Sequence, residues 1–142
     1  MHFVTGGAFN GKSKWVREQY QLNETEHSWH SAYQKDPILE PDNEKIVVFE
    51  GLEVWLRESA VSISLDETRQ KWQSLIQKWL EWENQDSQRK VILIGCDISK
   101  GIVPMVSEDR RWRDITGWIY QDIMSVAERA DVIWYGISQK LK

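Results

Sequence analysis

One cysteine, Cys96, is all the chain offers, so no internal disulfide can brace it, and a fold that needs none suits a reducing cytosol. Prolines are scarce too: of three, Pro37 and Pro41 fall in one polar segment and Pro104 in a later stretch expected to be a loop, with Gly101. No apolar run approaches the roughly 20 residues of a membrane-spanning helix. No basic stretch followed by an apolar one opens the chain, so we expect a cytoplasmic protein without a membrane span. Positive charge is short as well. Eighteen Lys and Arg face 22 Asp and Glu, for a net charge of −4. That balance argues against a broad nucleic-acid footprint, so any phosphate must be met by a local site.

What remains suffices for one domain over residues 1–142, since a chain of this length buries about two-thirds of its unfolded surface. Nine tryptophans are present, most of them at positions whose spacing reads as packing. His2 to Thr5 forms a short strand, and Lys12 to Leu22 a helix with Trp15, Val16 and Tyr20 on one side. The segment 23–45 is polar, lacks a sustained period and reads as loop-rich and mobile. Ile46 to Gly51, "IVVFEG", is a strand buried on both faces, as in a parallel sheet. "EVWLRES" adds a helical turn or two.

The clearest helix follows, where Trp72, Leu75, Ile76, Trp79 and Leu80 recur at helical spacing behind a Ser64–Glu67 capping box. "KVILIG" is a second buried strand, with Gly95, Asp97 and Ser99 at its C-terminal end. A long helix is expected from Glu108 to Ala130, and "DVIWYGI" as a closing strand. Strands alternating with helices predict a three-layer α/β fold with a mostly parallel sheet, whose ligands sit at the carboxyl ends of the strands.

The loop Gly6-Gly7-Ala8-Phe9-Asn10-Gly11-Lys12-Ser13 lies at that edge, between a strand and a helix, and fits G-x-x-x-x-G-K-[ST]. Four residues between the glycines let successive N–H groups turn inward around a phosphate. The helix beginning near Lys12 aims its unpaired N–H groups and positive dipole end at the same anion. Lys12 would bridge the β- and γ-phosphates, and Ser13 would ligate Mg²⁺. A second acid should complete the metal site at the end of a neighbouring strand. Glu50 is the first candidate, with Glu53 and Asp97 behind it, and these carboxylates are also the available bases.

Four pieces resemble one family, the bifunctional adenosylcobinamide kinase / adenosylcobinamide-phosphate guanylyltransferases of cobalamin biosynthesis. "VTGGAFNGKS" is similar to the family's V-T-G-G-x-R-S-G-K-S, and "VVFEGLEVWL" stands where it has L-L-D-C-L-T-L-W-L, with Glu50 on its acidic position. "GIVPMVSEDRRWRDITGWIYQ" resembles G-I-V-P-x-x-x-x-x-R-x-F-R-D-x-x-G-x-x-N-Q through Gly101, Ile102, Val103, Pro104, Arg110, Arg113, Asp114, Gly117 and Gln121. The ending "ADVIWYGISQKLK" is similar to A-D-E-V-x-L-V-V-x-G-I-P-x-x-L-K.

The resemblance implies a RecA-like P-loop NTPase fold and a homo-oligomer. It also implies ATP or GTP as co-substrate with Mg²⁺, and phosphorylation of the aminopropanol hydroxyl of a corrinoid, adenosylcobinamide, followed by GMP transfer. Through it Arg110 and Arg113 join Lys12 and Glu50 as candidate catalytic residues. The family's H-R-x-x-R-x-x-x-W stretch has no recognisable counterpart, and the only histidines of that region are His27 and His30. Phe9-Asn10 replaces the loop's arginine-serine, and Cys96-Asp97 replaces an asparagine-glutamate pair. A relative that binds nucleotide as a regulatory subunit, without chemistry, is the alternative reading.

Overall fold

Runs of apolar residues without alternation need cover on both faces, and here they occupy the middle of one sheet. The computed structural model describes residues 1–38, 40, 41, 43–99 and 106–142. Gly101, Ile102, Val103 and Pro104 of the family-like stretch lie outside the described residues. The strands are β1 (His2–Gly6), β2 (Ser28–Ser31), β3 (Ile46–Glu50), β4 (Lys90–Cys96), β5 (Arg129–Trp134) and β6 (Ile137–Lys140). Their order is β2-β3-β4-β1-β5-β6, parallel throughout except for β6, which runs antiparallel to β5. Register places Gly6 opposite Cys96 and Glu50 opposite Ile94, so the ends of β1, β3 and β4 reach one edge together.

Successive side chains leave a strand on opposite faces. Phe3, Val47, Phe49, Val91 and Leu93 face one way, into a core closed by α2 (Leu52–Ser62), α3 (Leu65–Asn84) and α4 (Ser107–Val126). Val4, Val48, Ile92, Ile94 and Ile133 face the other way, against Val16 of α1 (Lys12–Gln19) and Leu22 beyond it. The three layers are therefore unequal, with three helices on one side and one on the other. On the thicker side Phe49 stacks on Trp79 with ring centroids 4.6 Å apart, and Trp72 meets Trp79 edge-on.

Ser64 caps α3 by accepting the Glu67 N–H, the first half of the expected capping box. Helix α1 stops at Gln19, short of the expected Leu22, in a Schellman turn. Gln21 takes a left-handed φ of 52°, and the Leu22 N–H returns to the Arg17 carbonyl at 2.9 Å. That reversal buries Leu22.

Further expectations are corrected. The long helix expected to reach Ala130 ends at Val126, and Arg129 and Ala130 already belong to β5. The loop-rich segment 23–45 contains β2, an edge strand whose residues are mostly half-buried and therefore carry no apolar period. "EVWLRES" belongs to an 11-residue helix, α2. The closing strand is a hairpin: Tyr135 and Gly136 both have positive φ, as a two-residue type I′ turn requires, and β6 returns along β5.

Candidate active site

The glycine loop leaves β1 where there is no room for a side chain. A Cβ on Gly6 would stand 2.4 Å from the Ile133 carbonyl oxygen of β5, so only glycine lets the two strands pass at this point. Gly11 supplies the left-handed turn (φ 87°) that starts α1. No side chain caps that helix start, which leaves its first N–H groups available to an anion. Lys12 follows at once. Its Nζ donates to the Gly7 carbonyl at 2.8 Å, folding the ammonium back over the loop's own mouth.

Glu50 ends β3 on the same edge. Ser13 donates its hydroxyl proton to one Glu50 carboxylate oxygen, and the Trp29 indole N–H donates to the other at 3.1 Å. Trp29 lies on β2, so the edge strand orients this acid. Among the described residues no three His, Cys, Asp or Glu gather to hold a metal. A hydroxyl beside a single carboxylate is still the hard-oxygen pair that suits Mg²⁺, which keeps several waters and takes its other ligands from phosphate. Ser13 and Glu50 would hold it.

In the first turn of α2, Glu53 is 4 % exposed. It accepts the Tyr33 hydroxyl proton and, at 2.9 Å, the Cys96 N–H. Burial first, and the Glu53 carboxylate second, push the Tyr33 phenol well above its ordinary range, so it stays a donor. Burial likewise raises the Cys96 thiol, with Lys12 opposing, which makes Cys96 a poor nucleophile. Trp112 of α4 donates to the Glu53 carbonyl at 2.7 Å, and Tyr120 donates to that of Cys96 at 2.8 Å.

These groups surround one cavity of about 620 Å³. Lys12, Ser13 and Glu50 mark its polar end, and Tyr33, Val54, Ile98 and Trp112 its largely apolar remainder. The size is within the usual range for a small-molecule site, roughly 300–1,000 Å³.

The sequence-derived candidates divide on this geometry. Ala8, Phe9, Gly11, Lys12, Ser13 and Glu50 line the cavity; Gly6, Gly7 and Asn10 build the loop behind it. Among the described residues Arg110 and Arg113 are not in its wall. Arg113 lies seven positions before Tyr120, on the same stripe of α4. The neighbouring Arg111 instead bonds the Ala60 and Ile63 carbonyls at the end of α2. Asp97 accepts from the Ser99 N–H and hydroxyl, in a local turn. His30 stacks on Phe49 at 5.4 Å and His27 bonds the Thr25 carbonyl; neither lines the cavity. Sequence reasoning missed Tyr33, and it took Trp29 and Trp112 first for packing.

A parallel sheet, a glycine loop between β1 and α1, and an acid closing a neighbouring strand define the class as a P-loop NTPase-like α/β protein. The family model described as cobinamide kinase / cobinamide phosphate guanyltransferase matches residues 17–141. The chain belongs to that family of transferases. The matched stretch begins after the glycine loop, whose reading therefore stands on its own pattern and geometry. No curated protein matches the chain.

Proposed function

We propose that this protein is a magnesium-dependent kinase. It transfers the terminal phosphate of ATP or GTP to the hydroxyl of adenosylcobinamide, in cobalamin biosynthesis. One observation carries the reading: Lys12, Ser13 and Glu50 converge at the polar end of a cavity whose other walls are largely apolar. The loop N–H groups would hold the β-phosphate, and Lys12 would leave the Gly7 carbonyl for the β- and γ-phosphate oxygens. Magnesium, when bound, neutralises charge on those oxygens. Ser13 and Glu50 fix its place.

The acceptor oxygen attacks the γ-phosphorus, and the bond to the β–γ bridging oxygen breaks with its electron pair. The nucleoside diphosphate departs. The hydroxyl proton passes to Glu53, the second carboxylate of the wall, which Tyr33 and the Cys96 N–H hold in place. The apolar wall suits the side arm of a corrinoid that ends in a hydroxyl, with the macrocycle left at the mouth.

Incubation with adenosylcobinamide and γ-labelled ATP or GTP tests this directly. Label should appear in the corrinoid. Its absence even at high enzyme concentration overturns the kinase and leaves the regulatory, binding-only reading. The guanylyl half-reaction has weaker support, because neither His27 nor His30 lines the cavity. Acid-labile label from α-labelled GTP on either histidine would restore it. A homo-oligomer, as the resemblance implies, in the cytoplasm, as the single cysteine suggests, completes the proposal, and sedimentation velocity reads the first part.

A further inference from the structure

Two bulky aromatic residues beside the glycine loop have left-handed backbones and project into solvent. Phe9, inside the loop, has φ 60° and is fully exposed. Tyr135, on the β5–β6 turn, has φ 49° and is 87 % exposed. A positive φ is uncommon for large side chains, and full exposure of a large apolar ring gains nothing from burial. Packing explains neither position. The two segments are nevertheless joined. Asn10 accepts the Gly136 N–H on its carbonyl at 2.8 Å, and the Tyr135 N–H on its side-chain oxygen at 3.4 Å. The phosphate loop and the hairpin turn are thus one bonded unit.

The strand order decides what such a unit would meet. Glu50 ends β3, two strands from β1 on the β4 side, whereas the turn follows β5, the immediate neighbour of β1 on the opposite side. A triphosphate with its γ end at Lys12, Ser13 and Glu50 points its nucleoside end away from β3, toward that turn. The cavity that the acceptor would enter runs from the glycine loop, with Phe9 on its wall, to Glu50 and Glu53 on the β3 side, and neither Tyr135 nor Gly136 lines it.

We propose that Tyr135 forms the stacking platform for the purine base of the nucleotide, and that Asn10 couples this platform to the phosphate loop. The inference rests on the phosphate-loop reading above. Stacking uses the π-face that every base presents, so the platform accepts adenine and guanine alike.

Titration of the full chain with ATP, GTP and inorganic tripolyphosphate, each with magnesium, tests it. Tyr135→Asn keeps a residue tolerant of the left-handed turn and removes the ring. It should weaken ATP and GTP by a similar factor, on the order of tenfold, and leave tripolyphosphate unchanged. Tyr135→Phe should bind like the unaltered protein. Lys12→Ala, the control for the loop, should weaken all three ligands. Unchanged nucleotide affinity in Tyr135→Asn overturns the platform while the loop stands. So does an equal loss for tripolyphosphate, or a changed sedimentation coefficient, which would make the turn a subunit contact. If the unaltered chain binds none of the three ligands, the phosphate loop itself fails and the platform with it.

Discussion

Ser13, one residue into α1, donates its hydroxyl proton to the carboxylate of Glu50, the last residue of β3, joining the glycine loop to a strand two places away in the sheet. In this arrangement two hard oxygens meet beside Lys12, and most of the site's proposed chemistry depends on that meeting.

If Ser13 and Glu50 act together on magnesium, their removal should not be additive. Ser13→Ala and Glu50→Gln should each weaken the magnesium-dependent part of triphosphate affinity. The double variant should lose little more than the worse single one, a coupling of about 1 kcal/mol or more. Titrations with and without magnesium read this. Strict additivity, or losses that persist without the metal, would separate the two residues.

His2 gives the protein a pH dependence remote from the site. It is 1 % exposed, its Nε2 lies 2.7 Å from Asp131, and its Nδ1 meets the Tyr20 hydroxyl. Burial pushes its pKa from 6.5 down to about 4, outweighing the attraction of Asp131. The native state therefore holds His2 neutral, while the unfolded chain takes up a proton below about pH 6.5. Stability is full above that value and falls as pH drops toward 4, by up to about 3 kcal/mol. Urea melts at pH 7.5 and 4.5 should show the loss, and His2→Gln should flatten its slope. An unchanged slope in that variant would contradict the assignment.

Trp79 joins α3 to the sheet through its stack on Phe49, and it is fully buried. Trp79→Ala removes the largest fully buried side chain and leaves a cavity between two layers. Destabilisation of about 3–5 kcal/mol is expected, measured as the shift in denaturant midpoint at constant slope. A cost below 1 kcal/mol would show that the layer closes over the gap.

How much could be read beforehand depended on how local the signal was. β3 and β4 were legible because burial on both faces makes their sequences continuously apolar. β2 was not: "SWHS" lies at the sheet edge, half-exposed, and its pairing with β3 is a long-range event without a short-range mark. The hairpin turn was missed because Tyr-Gly lacks the Asn-Gly signal of that turn type. The glycine loop and Glu50 were visible through spacing and position after a strand. Trp29 and Tyr33 were not, because each acquires its role only by reaching a carboxylate 21 or 20 residues away. Arg110 and Arg113 entered by resemblance, and the cavity wall does not include them.

A structure with a non-hydrolysable ATP or GTP analogue and magnesium tests the central claim most directly. The account predicts a polyphosphate held by the N–H groups of residues 7–13. Lys12 Nζ should have moved from the Gly7 carbonyl to the β- and γ-phosphate oxygens, with the metal on Ser13 and beside Glu50. An empty loop, or a lysine still bonded to Gly7 with nucleotide bound elsewhere, would contradict it.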